Sequence, residues 1–164
     1  MRLKDTGFKI LLVLFALVPL TGCNNSRMDF EVALKYTWRG SLSEEAGWLV
    51  DSLNDWEILH FGSPYLSQVL GEALDESNQR YDEDFFINNA LIVFTFGVNY
   101  GGITFHEIHL RNRGAEIILE VTVEQGVTTA PTFGIIILEI SNENISETTI
   151  LSVNLNVLDA NIPG

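Results

Sequence analysis

One thiol occurs in this chain, Cys23, and the residues on either side of it are of the types that a processed and modified cysteine needs. Small Gly22 stands before it, within Leu20-Thr21-Gly22, and polar Asn24-Asn25-Ser26 follow. A peptidase cutting between Gly22 and Cys23 would leave the cysteine as a new N-terminus, with its sulfur able to carry a diacylglyceryl group. A lone cysteine cannot form an internal disulfide, so the thiol needs some other role. Two further groups invite a chemical reading. His106-Glu107-Ile108-His109 calls for comparison with the helical zinc motif HExxH, but that motif separates its histidines by four residues and here they are three apart. The segment also alternates like a strand, which predicts His106 and His109 on opposite faces. Asp82-Glu83-Asp84 could attract calcium, yet it lacks the alternating oxygen ligands and the glycine of a calcium loop. No GxSxG, P-loop, CxxC or GxGxxG pattern occurs. The expectation is no catalytic residue, no metal and no cofactor beyond a lipid on Cys23.

The elements around Cys23 support its reading. Arg2, Lys4 and Lys9 form a basic start, and Ile10 to Val18 is an unbroken apolar run ending at Pro19. That run suits a signal segment and falls short of the roughly 20 apolar residues that span a bilayer. Together with Leu20–Cys23 it resembles the bacterial lipobox. The expected organisation is a lipoprotein signal peptide over 1–22, a lipidated Cys23 with a polar tether over 23–29, and one globular β-rich domain over 30–164. This places the chain at the cell membrane, lipid-anchored on the extracytoplasmic face.

Charge narrows the partners. Beyond residue 22 the chain keeps 6 of its 9 basic and 21 of its 22 acidic residues, a net charge of −15. Such a surface repels nucleic acid and anionic headgroups, which predicts membrane contact through the lipid anchor alone. With 46% hydrophobic and 10% aromatic residues the bulk of the chain must fold.

Periodicity then assigns the elements. Phe30, Val32, Leu34, Tyr36 and Trp38 alternate with more polar residues, the mark of a half-buried strand. Trp48-Leu49-Val50 reads as a second strand. Ser52 three residues before Asp55 approaches capping-box spacing, and Leu53, Trp56, Leu59 and His60 share a helical face. Ser63-Pro64 opens a second helix with Leu66, Val69, Leu70 and Leu74 as its apolar stripe. Tyr81–Asn89 suits a short helical turn. From Ala90 the chain reads as strands: Leu91–Phe96 covered on both faces, Ile103–Leu110, Glu116–Glu124, Phe133–Ile140 and Ile150–Leu158. Gly97–Gly102 and Arg111–Gly114 are expected as connections. Trp38, Trp48 and Trp56 are expected in or at the rim of the core. The fold class is α+β: a mainly antiparallel, sandwich-like β-sheet with two short helices in the N-terminal half.

Tyr81-Asp82-Glu83-Asp84-Phe85-Phe86, followed by Asn89-Ala90-Leu91-Ile92-Val93, resembles a stretch of small bacterial lipoproteins of unknown function. Gly101-Gly102, the Ile103–Leu110 strand and the Glu116–Glu124 strand resemble the C-terminal domain of the protease-complex subunit PrcB family. The likeness runs from about Trp48 to Ser141. In that family an aromatic residue typically follows the paired glycines; Ile103 stands at that position here. The resemblance implies a non-catalytic binding or accessory lipoprotein with a protein partner, an extracellular protease or another envelope protein, and Tyr81, Phe85, Phe86, Gly101 and Gly102 as motif residues. The competing reading is a carboxylate-dependent enzyme acting on envelope glycans, which needs two carboxyl groups close together in a cleft.

Overall fold

The computed structural model describes residues 25–39, 45–62, 66–67, 70, 80–128 and 130–160. Eight strands follow in chain order: β1 (Asn25–Arg27), β2 (Glu31–Arg39), β3 (Ala46–Val50), β4 (Asn89–Val98), β5 (Gly101–Arg113), β6 (Glu116–Thr128), β7 (Thr132–Ser141) and β8 (Ile150–Asp159). Helices α1 (Leu53–Gly62) and α2 (Glu83–Asn88) lie between β3 and β4. The strands form two four-stranded sheets. Sheet I has the order β1-β5-β6-β8 and sheet II the order β2-β7-β4-β3.

All pairings are antiparallel except β6 with β8. That exception follows from the path of the chain. After β6 the chain returns along β7 in the other sheet, so β8 re-enters sheet I running the same way as β6. The α+β, sandwich-like expectation is met, with helices added on one side.

The strands β4 and β7 decide the layering. Ala90, Ile92, Phe94, Phe96 and Val98 of β4 join Ile136, Leu138 and Ile140 of β7 in a core against Leu110, Ile117, Leu119, Val121 and Val123 of sheet I. The alternate residues Leu91, Val93, Ile135 and Ile137 point the other way, into a second core with Val50, Trp56, Leu66, Leu70, Tyr81 and Phe86. Strict alternation sends successive side chains to opposite faces, so an apolar run with both faces covered needs two partners. Here they are sheet I and a helical layer. Ser52 opens α1, its Oγ accepting from the Asp55 N–H at 3.2 Å and donating to the Asp55 carboxylate at 2.7 Å. Trp56 and His60 are its buried residues. The expected helix from Ser63 lies mostly outside the described residues, Val69 and Leu74 included; Leu66, Ser67 and Leu70 are helical, with Leu66 and Leu70 buried.

Several boundaries differ from the sequence reading. Arg111–Arg113, expected in a turn, extend β5 because β1 pairs with them: Asn25 opposite Arg113, Ser26 opposite Asn112, Arg27 opposite Arg111. The turn is Gly114-Ala115, with Gly114 at φ 69°. Residues 25–29, taken from their polarity as tether, carry β1 and bury Met28, whose N–H donates to the Leu110 carbonyl at 2.9 Å. The β4–β5 connection shrinks from Gly97–Gly102 to Asn99-Tyr100. In β2 the register slips between Val32 and Leu34. This bulge sends Phe30 to the core between the sheets and Leu34, Tyr36 and Trp38 to the helical side, breaking the expected single face.

Gly102, at φ 89°, is the second residue of β5, where the chain crosses from sheet II to sheet I, and its N–H donates to Thr132 Oγ1 at 3.1 Å. Gly126 of β6 lies so close beneath that a Cβ there would stand 1.9 Å from the Gly101 carbonyl oxygen. Backbone cannot yield as a side chain does, so Gly126→Ala should cost about 3 kcal/mol, the upper end for overpacking. Gly62→Ala, with nothing within 4 Å of its Cβ, should change stability by about 0.5 kcal/mol or less. Urea unfolding of the two variants measures the contrast.

Candidate functional site

The residues singled out from the sequence separate into two places. Tyr81, Phe85 and Phe86 come together in the helical layer. Asp82 caps α2, its carboxylate accepting from the Phe85 N–H at 2.9 Å, and Glu83 and Asp84 occupy the first turn, where the helix dipole favours negative charge. That use accounts for the three acids without a cation. Tyr81 meets Trp56 and Phe85 edge-on at centroid separations of 5.1 and 5.0 Å, and Phe85 meets Phe86 at 5.1 Å. His60 stacks on Trp56 at 5.6 Å, and burial lowers its pKa below the usual histidine value. Gly101 and Gly102 stand beyond the far end of β4 from this cluster, since α2 leads into Asn89 and Gly101 follows Val98. Ten residues of strand, about 30 Å, separate the two groups. The pair of glycines serves the crossing between sheets. Gly22 and Cys23 lie outside the described residues.

A polar cluster that the sequence reading missed sits under the helical layer. Glu139 is the one charged residue within the apolar run of β7, and it faces the helices with its side chain 10% exposed. It lies opposite Glu31 of β2, a like-charge pairing that is unfavourable by itself. Arg80 resolves it, its Nη2 standing 2.6 Å from Glu139 Oε2 and 3.5 Å from Glu31 Oε1. The Tyr81 hydroxyl donates to the other Glu139 oxygen at 3.0 Å. Burial, and then the Glu139 charge, push the Tyr81 phenol well above its ordinary range, so it remains a donor. A signal was available: Arg80 is the sole Lys or Arg between Arg39 and Arg111. A buried carboxylate that takes one donor on each oxygen, an arginine and a tyrosine, anchors the layer above it.

The histidines require a correction. The β5 register slips between Phe105 and Glu107, so His106 is an extra residue. The bulge puts His106 on the outer face of sheet I, the same face as His109. His106 Nε2 reaches Glu124 at 2.9 Å and His109 Nε2 reaches Glu107 at 3.3 Å, each with its own carboxylate. Among the described residues no group of three His, Cys, Asp or Glu side chains could hold a metal ion. Trp56 is buried, and Trp38 and Trp48 are half-buried against the same core, as expected of core and rim residues.

A groove of about 310 Å³ opens at the β1–β5 edge of sheet I, lined by Arg27, His109, Leu110 and Arg111. No helix among the described residues is long and apolar enough to cross a membrane. No protein-family model, curated protein or solved structure matches the chain.

The polar cluster makes a quantitative prediction. Arg80→Met leaves a buried carboxylate with one neutral donor and should cost about 2 kcal/mol. Adding Glu139→Met removes the stranded charge and should bring stability back to within about 1 kcal/mol of the parent. A double-mutant cycle by chemical denaturation checks both, and an Arg80→Met variant as stable as the parent would show that the pair holds nothing.

Proposed function

We propose that the chain is a membrane-anchored extracytoplasmic lipoprotein whose single β-rich domain acts as a non-catalytic binding or accessory module. The observation that carries this reading is the basic and apolar leader running into Leu20-Thr21-Gly22-Cys23 with a folded strand starting at Asn25. Cleavage before Cys23 then releases a domain that already begins at its anchor. The lipid is the cofactor, a diacylglyceryl group on the Cys23 sulfur. Two acyl chains, at about 0.8 kcal/mol per buried methylene, hold the domain to the bilayer without a spanning helix.

The resemblance to the PrcB C-terminal domain supports a protein partner, an extracellular protease or another envelope protein. The contact belongs on the helical layer. Ile58 and Phe61, three residues apart on α1, are 63% and 68% exposed, while the opposite face of the same helix is buried. Exposed apolar side chains on an otherwise acidic layer are the chemistry of a protein contact. The glycan-enzyme reading finds less support: the buried carboxylate Glu139 is committed to Arg80 and Tyr81.

Metabolic labelling with a fatty-acid analogue tests the anchor. The parent chain should incorporate label, and Cys23→Ser should abolish both labelling and cleavage before residue 23 while leaving the domain's unfolding transition unchanged. Label that survives Cys23→Ser would remove the lipoprotein reading.

A further inference from the structure

We propose that the β1–β5 edge of sheet I, with Arg27, Arg111, Arg113 and His109 on one face, is a docking site for the phosphates of anionic phospholipid headgroups. The proposal rests on the lipoprotein reading for its geometry and goes beyond it by giving the domain a fixed orientation on its membrane.

Register places the four side chains together. Directly opposed residues of antiparallel strands share a face, so Arg27 lies beside Arg111 and the Asn25 position beside Arg113. His109, Arg111 and Arg113 alternate along β5 with Leu110, which is fully buried in the core, so all three point outward. Three of the six Lys and Arg residues beyond residue 22 therefore lie on one edge. Arg111 is paired with Glu120 at 2.9 Å, and Glu116 stands opposite Arg113 while accepting from Ser152 Oγ at 2.6 Å. Among the described residues Arg27 and Arg113 have no ion-pair partner. The groove lined by Arg27, His109, Leu110 and Arg111 has room for a phosphate.

Position turns this cluster into a membrane contact. Only Asn24 separates Cys23 from β1, so the strand starts within about 7 Å of the lipidated residue. The polar headgroup layer is itself about 5–7 Å deep on each side of a bilayer. The edge that holds Arg27 and Arg113 is thus kept at headgroup depth by the anchor. Ile150, which pairs with Glu116 beside the Gly114-Ala115 turn, is 64% exposed at the same end. The exposed acids Asp55, Glu57, Asp82, Glu83 and Asp84 lie in the helical layer, on the opposite side of sheet II from sheet I, whereas Glu107, Glu116, Glu120 and Glu124 share the outward face of sheet I with the arginines. The net charge of −15 does not prevent contact, because charges more than about 8–10 Å from the surface are screened at physiological salt.

The test uses residues 23–164 bearing Cys23→Ser, which contain every strand and helix described and carry no acyl chain. Co-flotation with vesicles of phosphatidylcholine, with and without phosphatidylglycerol, is measured at low and at high salt. Binding should appear with phosphatidylglycerol, vanish with phosphatidylcholine alone and weaken with salt. Replacing Arg27, Arg111 and Arg113 by Gln should lower it about tenfold or more, at about 1 kcal/mol per basic residue near an anionic surface. The double variant Lys35→Gln/Arg39→Gln should leave it unchanged. Glu120→Gln, which frees Arg111, should strengthen it, a gain that misfolding cannot mimic. Equal binding to both vesicle types, no effect of the triple variant, or binding of inorganic phosphate without binding of vesicles would each overturn the proposal. Because this chain lacks the lipid, failure here leaves the anchor to be judged by labelling alone.

Discussion

Two neighbouring ten-residue strands, β4 and β7, are apolar on both faces, and the rest of the structure answers that constraint. A strand pair of this kind cannot sit at a surface. One face must meet a second sheet and the other a further layer, because each exposed apolar side chain forfeits the free energy of its removal from water. Sheet I covers the first face, and α1, Leu66, Leu70, Tyr81 and α2 cover the second. The single charge in this pair, Glu139, faces the helical side, and it is there that Arg80 enters between Glu31 and Glu139. The layer is thus held by apolar contact and by the two ion pairs of Arg80, which the chain supplies from its own approach to α2.

Much of this architecture was legible from periodicity. Leu91–Phe96 read as a doubly covered strand, Phe133–Ile140 and Glu116–Glu124 as further strands, and Ser52 as the start of a helix. These signals are local. What the sequence hid depends on a distant partner. Asn25-Ser26-Arg27 has no strand character of its own; it is extended because β5 runs past it. Arg111-Asn112-Arg113 reads as a turn for the same reason, until β1 pairs with it. The bulges near Ala33 and His106 displace one residue each, and a period-two pattern cannot show a slip that lies within it.

The polar features were hidden for a different reason. Glu139 and Arg80 stand 59 positions apart, so neither residue predicts the other. Each is still conspicuous: a lone acid in an apolar strand, and a lone cation in a long stretch with no other. A buried carboxylate requires a partner, and that requirement alone could have joined them. The motif residues of the family resemblance behave in the opposite way. They are near one another in sequence, yet Tyr81, Phe85 and Phe86 hold the helical layer while Gly101 and Gly102 serve the crossing between sheets.

Total charge is a poor guide to the surface of this domain, because its few cations are spread unevenly: Arg27, Arg111 and Arg113 gather at one edge of sheet I, on a face they share with Glu107, Glu116, Glu120 and Glu124. The acids of α1, α2 and their flanks serve as caps and solvated positions on the outside of the helical layer, where repulsion among them is relieved by water. The arginines of β1 and the end of β5 sit on the far side of the sandwich, next to the residue where the fold begins. A sum of −15 averages over a thickness of three layers, several times the distance at which salt screens a charge. An object approaching the β1 edge meets Arg27 and Arg113 first, and one approaching α1 meets carboxylates around Ile58 and Phe61. The sandwich therefore presents two chemically different faces, and the proposed anchor at Cys23 would set the β1 edge, rather than the helical layer, against the membrane.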